Sequence, residues 1–129
     1  MTQPKITASE KIARFVREFD LKRVTPEAEH AARRALLDTL GVAFAARDEP
    51  VSRLIVDFVR SRRSDRMAHI WSTPHVVEEE AAALANGTIA HALDYDDVTV
   101  PLRGHPSVGI FPALLALGEA RGRKLNDVV

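Results

Sequence analysis

The residues from Ala81 to Glu119, AAALANGTIAHALDYDDVTVPLRGHPSVGIFPALLALGE, constrain this chain more than any other stretch. Ala81, Ala82, Ala83, Ala85, Ala90 and Ala92, with Gly87, leave its first half almost without side-chain bulk. Alanine is the strongest helix former, so this run reads as a slim helix whose neighbours can pack close to its backbone. The second half, around Ile110–Leu117, is apolar nearly all round and belongs in a core or an interface. Between them lies a polar centre holding His91, Asp94, Asp96, Asp97, Arg103 and His105 within fifteen positions. No other part of the sequence sets acid and imidazole groups so close to small apolar residues.

The rest of the chain reads as helices punctuated by caps and prolines. Residues 1–6 read as a loose lead-in. Thr7 stands three before Glu10, the capping-box spacing, and Ile12, Phe15, Val16 and Phe19 follow at helical intervals, predicting a helix over about 8–20. Thr25-Pro26-Glu27 opens a second helix to about residue 46, with Gly41 as a point of close helix approach. Its half ALLDTLGVAFAA is apolar except for Asp38, which is expected to bond a helix end or an arginine. A third helix, Val51 to Arg60, should turn Leu54, Ile55, Phe58 and Val59 inward. Arg60, Arg62, Arg63 and Arg66 form a basic run read as a solvated face, and Met67–Trp71 as a short strand or extended link.

The Ala-rich helix is expected to start near His75–Glu78, with Glu78, Glu79 and Glu80 in its first turns, and to reach Asp94–Asp97. Pro101 makes 98–104 a loop. The last long helix, about 107–121, carries Pro112 inside it, predicting a kink or a broken first turn, and stops at Gly122. Asn126 or Asp127 reads as the cap of one more helix. The fold expected is therefore all-α, a helical bundle of five main helices.

Composition removes several functions. Eighteen basic and eighteen acidic side chains cancel, so no field attracts nucleic acid or an anionic membrane. Without cysteine there is no thiol nucleophile, disulfide or thiolate metal site. The N-terminal MTQPKITASEKIARF has no apolar core of a secretory signal, and no apolar run reaches the ~20 residues of a membrane span. The chain reads as cytoplasmic.

At the polar centre, His91 and Asp94 are three apart and would share one helix face, with Gly87 leaving room a turn earlier. His105 precedes a helix N-terminus whose free N–H groups would seat a substrate carboxylate. An imidazole and a carboxylate converging there could move a proton to or from a carbon beside that carboxylate. Asp96 and Asp97 are read as pointing elsewhere or ending the helix. A buried structural His91 and an ordinary acidic helix end are the plainer alternatives. A divalent metal on His91, Asp94 and His105 is weighed and set aside, because no HExxH or paired-His spacing supports it.

The segments ALANGTIAHALDYDDV and RGHPSVGIFPALLALGEARG, with the upstream ARRALLDTLGVAFAA, resemble the MmgE/PrpD family. The resemblance implies the N-terminal part of a large helical domain, followed in longer members by a smaller α/β lid, with the active site between them. It implies a homodimeric lyase without metal or organic cofactor. Such a lyase dehydrates or decarboxylates a small polycarboxylate, such as 2-methylcitrate or cis-aconitate. It carries the catalytic roles onto Asp94, the first Asp of the D-aromatic-D-D run, and His105 of the HPS motif. The family's second histidine and substrate-clamping lysines would lie beyond residue 129. His91 and Arg103 are the further candidates for substrate contact. Val98 stands where such members often carry Thr, which leaves the substrate open. The reading is a single partial helical domain of such a lyase, inactive alone, and the alternative is a non-catalytic helical interaction or dimerisation module.

Overall fold

A computed structural model describes residues 6–127; of the lead-in expected over residues 1–6, all but Ile6 lies outside the described residues. The chain divides into two compact units between His30 and Ala31. In the first, α1 (Ala8–Glu18) starts on the expected capping box. The Thr7 hydroxyl accepts from the Glu10 N–H at 3.2 Å, and the Thr7 N–H donates to Glu10 Oε2 at 2.7 Å. Two of the orphan N–H groups at the helix start are thereby satisfied. The helix stops two residues earlier than expected, and Asp20 then caps a 3₁₀ turn, Leu21–Arg23. No residue of α1 is buried, so its apolar stripe of Ile12, Phe15 and Val16 lies exposed.

Helix α2 (Pro26–Ala45) opens as predicted, with Pro26 first and the Thr25 hydroxyl accepting from the Ala28 N–H at 3.2 Å. Beyond Ala31 it buries only one face, through Leu36, Thr39 and Ala43, while Leu37 and Phe44 stay exposed. Asp38 is exposed and makes no ion pair among the described residues, and nothing lies within 4 Å of where a Gly41 side chain would be. Helix α3 (Pro50–Val59) turns Ser52 and Val59 inward, whereas Leu54 and Phe58, expected inside, are exposed. The Ser52 hydroxyl donates to the Ala46 carbonyl at 2.7 Å, closing the short connection between α2 and α3.

Two strands follow, β1 (Met67–His69) and β2 (Val76–Glu78), paired antiparallel with Ala68 opposite Val77. The sequence pattern predicts a helix start near His75–Glu78 instead. Two adjacent β-branched valines favour a strand, and pairing to β1 buries Val77 completely. Glu78 and Glu79 do not simply face a helix dipole. Arg62 pairs with Glu78, and Arg66 with Glu79 at 3.1 Å, so the basic run is in part a set of ion pairs rather than a solvated face.

Helix α4 (Glu79–His91) is the expected slim element, and Ala81, Ala82, Ala85, Ile89 and Ala90 are buried. It packs on α5 (Pro106–Ala120), which buries Phe111, Pro112 and Ala116. A side chain at Gly87 would meet the Val108 carbonyl at 3.5 Å and the Pro112 ring at 3.9 Å, which measures how closely the two backbones approach. Helix α5 runs unbroken through Pro112. It ends in a Schellman motif: Gly122, at φ +62°, donates to the Glu119 carbonyl, and Arg123 to the Gly118 carbonyl. A 3₁₀ turn, Leu125–Asp127, stands where a capped helix was expected to begin.

Asn86, fully buried, ties the sheet to α4. Its amide donates to the His69 carbonyl at 3.0 Å and its oxygen accepts from the Trp71 N–H at 2.8 Å. These are the backbone groups that β1 leaves unpaired as it turns away, so a polar residue is required in an otherwise apolar helix face. The fold is mostly helical, with this hairpin as its one sheet among the described residues. No described helix is long and apolar enough to cross a membrane.

Candidate active site

Helix α4 ends at His91, three residues earlier than the shortest limit expected. The chain then turns sharply. Asp94 donates its N–H to the His91 carbonyl at 3.0 Å and adopts φ +55°, a left-handed conformation that Asp tolerates better than most residues. Asp94 and His91 are therefore not one helical turn apart on a common face. The turn leaves Asp94 outside, with its side chain 78% exposed, and carries Asp96 inside, with its side chain 0% exposed.

Asp96 then lies between two imidazoles. Its Oδ1 is 2.9 Å from His91 Nδ1 and its Oδ2 is 3.2 Å from His105 Nδ1. The first contact is an aligned hydrogen bond. In the second, both atoms are buried but no hydrogen bond is formed. The two rings meet edge to face, with centroids 4.6 Å apart. The other nitrogen of His105, Nε2, lies 3.4 Å from Asp94 Oδ1. The expectation that Asp96 points elsewhere is overturned: it is the centre of the cluster.

Asp97 also has a definite task. Its carboxylate accepts from the Ser107 N–H at 3.1 Å and from the Ser107 hydroxyl at 2.7 Å. It thus caps α5, favourably placed for the helix dipole. The N-terminus of α5, expected to be free for a substrate carboxylate, is already partly filled by this side chain.

His91 and His105 line an open cavity of about 470 Å³ with Val51, Gly87, Thr88, Ala92, Val108 and Gly109. Gly87 lines the same cavity as His91, but the place a side chain there would take faces Val108 and Pro112 of α5. Arg103 does not line this cavity. It sits exposed in the 99–104 turn at φ +51°, its N–H donating to the Thr99 and Val100 carbonyls. A larger open groove, about 780 Å³, runs along α2 past Arg34, Asp38, Gly41 and Tyr95, but it holds no imidazole.

His91, Asp94, Asp96 and His105 each offer a ligand atom, all within 4.8 Å of one another, so this cluster could hold a divalent cation. Coordination through Asp96 and the Nδ1 atoms would first have to break the aligned His91–Asp96 hydrogen bond. Proton transfer needs no such rearrangement, since Nε2 of His105 already faces Asp94.

The MmgE/PrpD N-terminal domain matches residues 10–129. The chain belongs to this family. Among curated relatives, cis-aconitate decarboxylase of Mus musculus is 28% identical over 115 residues, covering 88% of this chain and 23% of the relative. Cis-aconitate decarboxylase of Homo sapiens is 28% identical over 116 residues, covering 89% and 24%. The chain thus spans about a quarter of the length of these relatives. Within this MmgE/PrpD domain, the 92–107 turn folds the Asp94–Asp97 run against His105 and Ser107.

Proposed function

We propose that this domain supplies part of the active site of a lyase that dehydrates or decarboxylates a small polycarboxylate such as cis-aconitate or 2-methylcitrate. Membership of the MmgE/PrpD family and the two cis-aconitate decarboxylases among its relatives support a lyase. The observation that carries the reading is the contact of Asp94 Oδ1 with His105 Nε2 at 3.4 Å, beside the open cavity. Dehydration and decarboxylation share one demand, a proton moved to or from a carbon next to a carboxylate. Asp94 and His105 are the pair that moves it. His91 meets the substrate from the cavity wall, and Arg103 reaches a carboxylate from its exposed turn. The remaining cationic groups come from sequence beyond residue 129, together with the lid that would close the site. No metal or organic cofactor takes part, and the protein works in the cytoplasm.

The same reading carries a homodimer. Leu37, Phe44, Leu54 and Phe58, exposed on α2 and α3, are apolar surface of the kind a partner covers. This surface is also what a non-catalytic interaction module would use. The deciding measurement is steady-state turnover of cis-aconitate and 2-methylcitrate by the full-length protein. Asp94→Asn and His105→Ala should each lower kcat by roughly 10²–10⁴, the worth of a positioned acid or base. Near-normal kcat in both correctly folded variants would remove the site, and no turnover by the parent would favour the interaction module.

A further inference from the structure

We infer that Asp96 is a positioning residue that fixes the tautomer of both histidines, and this rests on the lyase reading of the same site. Its side chain is 0% exposed, and each oxygen faces one Nδ1, of His91 at 2.9 Å and of His105 at 3.2 Å. A carboxylate buried away from water must be met by donors. An ionised carboxylate only accepts, so each ring must carry its proton on Nδ1. In the neutral imidazoles this leaves the lone pair on Nε2; in His105 that atom lies 3.4 Å from Asp94 Oδ1, but Asp94 is exposed and solvated by water, so the buried Asp96 has the stronger claim on the ring proton. In water the opposite tautomer predominates, so the arrangement is imposed by the fold.

The His105 contact adds a second observation. Asp96 Oδ2 and His105 Nδ1 are both buried and face each other, yet neither has a hydrogen bond. At 3.2 Å the two atoms are within hydrogen-bonding distance, and among the described residues neither has another hydrogen-bond partner. In the reaction the substrate C–H bond breaks and its proton goes to His105 Nε2. The electron pair stays with the substrate and becomes the new double bond as hydroxide leaves. Nδ1–H stays directed at Asp96 throughout, so Asp96 itself takes no proton. For decarboxylation His105 starts as the imidazolium, its Nε2 proton supplied by solvent water; that proton passes to carbon as carbon dioxide departs, and the ring is left with Nδ1–H and a bare Nε2. Without Asp96, His105 would present N–H where a lone pair is needed, or rotate away.

The test is ring-¹⁵N NMR of the 129-residue chain, freed of metal with a chelator, at a pH where both rings are neutral. His91 and His105 should both show Nδ1–H and a bare Nε2. In Asp96→Asn the amide offers one oxygen and one NH₂, so it can keep only one ring in that state. The other ring should switch to Nε2–H. In the full-length protein the same variant should lose kcat by roughly 10²–10³ while KM changes little. Nε2–H on both rings of the wild type would overturn the inference, as would tautomers that Asp96→Asn leaves unchanged. Stoichiometric Zn²⁺ binding that moves all the ring ¹⁵N signals would also overturn it, in favour of a metal centre. Should Asp96→Asn fail to fold, the wild-type spectrum alone decides. A normal kcat for His105→Ala together with locked tautomers would instead count against the lyase site and leave the positioning geometry standing.

Discussion

Helix α5 meets a histidine–carboxylate contact at each end, and the two use similar groups differently. At its C-terminal end Glu119 takes the His69 ring on one oxygen and the His69 backbone N–H on the other, at 3.0 Å. Both oxygens are used, and the side chains are 59% and 40% exposed. At the N-terminal end Asp96 is buried, one of its oxygens has no aligned hydrogen bond, and a third ionisable group, Asp94, waits on the far side of His105. Water screens the first pair and makes it replaceable, so it serves as a clip between β1 and α5. The second pair lies where water does not compensate, so its polar groups are high in energy unless something completes them. A histidine next to a carboxylate is thus no sign of chemistry by itself. Burial and incomplete satisfaction separate the two ends.

The sharpest way to break this contrast is to neutralise one group at each end in the full-length protein. His105→Ala should cost roughly 10²–10⁴ in kcat, whereas Glu119→Gln should leave kcat unchanged. Equal losses measured by steady-state kinetics would erase the distinction.

Asn86 tests what holds the clip end in place when the histidine pair is not responsible. Asn86→Ala removes two hydrogen bonds and strands the His69 carbonyl and the Trp71 N–H in a buried setting. Urea unfolding of the chain should show a loss of about 2–6 kcal/mol, the sum of two unsatisfied backbone groups. A loss below about 1 kcal/mol, the level of a surface pair, would mean that water reaches this junction.

These roles were unequally legible in the sequence. The starts of α1 and α2 could be read because Thr7, Glu10, Thr25 and Pro26 act on neighbours within one turn. The Gly122 stop could be read for the same reason. The strand at Val76–Glu78 could not, because its partner lies across a six-residue turn and its glutamates imitate a helix start. Leu54 and Phe58 were misplaced because spacing gives a helix two plausible faces, and only the packing of Val59 and Ser52 chooses between them. At the site, the resemblance located Asp94 and His105, but nothing in the spacing predicted that Asp94 would turn left-handed. That one conformation ends α4 early, exposes Asp94, buries Asp96 and aims Asp97 at α5. A signal was available in principle: four polar residues follow closely on an apolar helix, and at least one had to be buried where the chain turned back.

At the clip end itself a smaller effect is expected. Glu119→Gln keeps a neutral oxygen for the His69 N–H but loses the charge beside the ring. Because both side chains are well exposed, unfolding should register only about 0.2–1 kcal/mol. A loss as large as that of Asn86→Ala would show that the pair is shielded from water and would blur the contrast with Asp96.

The smallest expected effect extends the comparison to a carboxylate with no burial at all. Glu10 accepts the Thr7 N–H and hydroxyl in the capping box, and the Thr7 backbone bond is the larger cause holding its pKa below the ordinary 4.5. A carboxyl whose folded pKa is depressed stabilises the folded form fully above its unfolded pKa. That contribution fades as pH falls through the folded value. Helix α1 should therefore keep its helicity from neutral pH down to about 5, then lose part of it as pH drops below 4.5. Glu10→Gln should remove this part of the acid response while leaving the neutral-pH circular dichroism close to that of the wild type, since glutamine can still accept at that position. Glu27, lowered by its own backbone N–H and by Thr25, would add a response of the same sign at the start of α2, so the double variant is the cleaner measurement. If the acid response of the double variant matched that of the wild type, the capping carboxylates would be bystanders. The loss would then have to come from groups deeper in the fold.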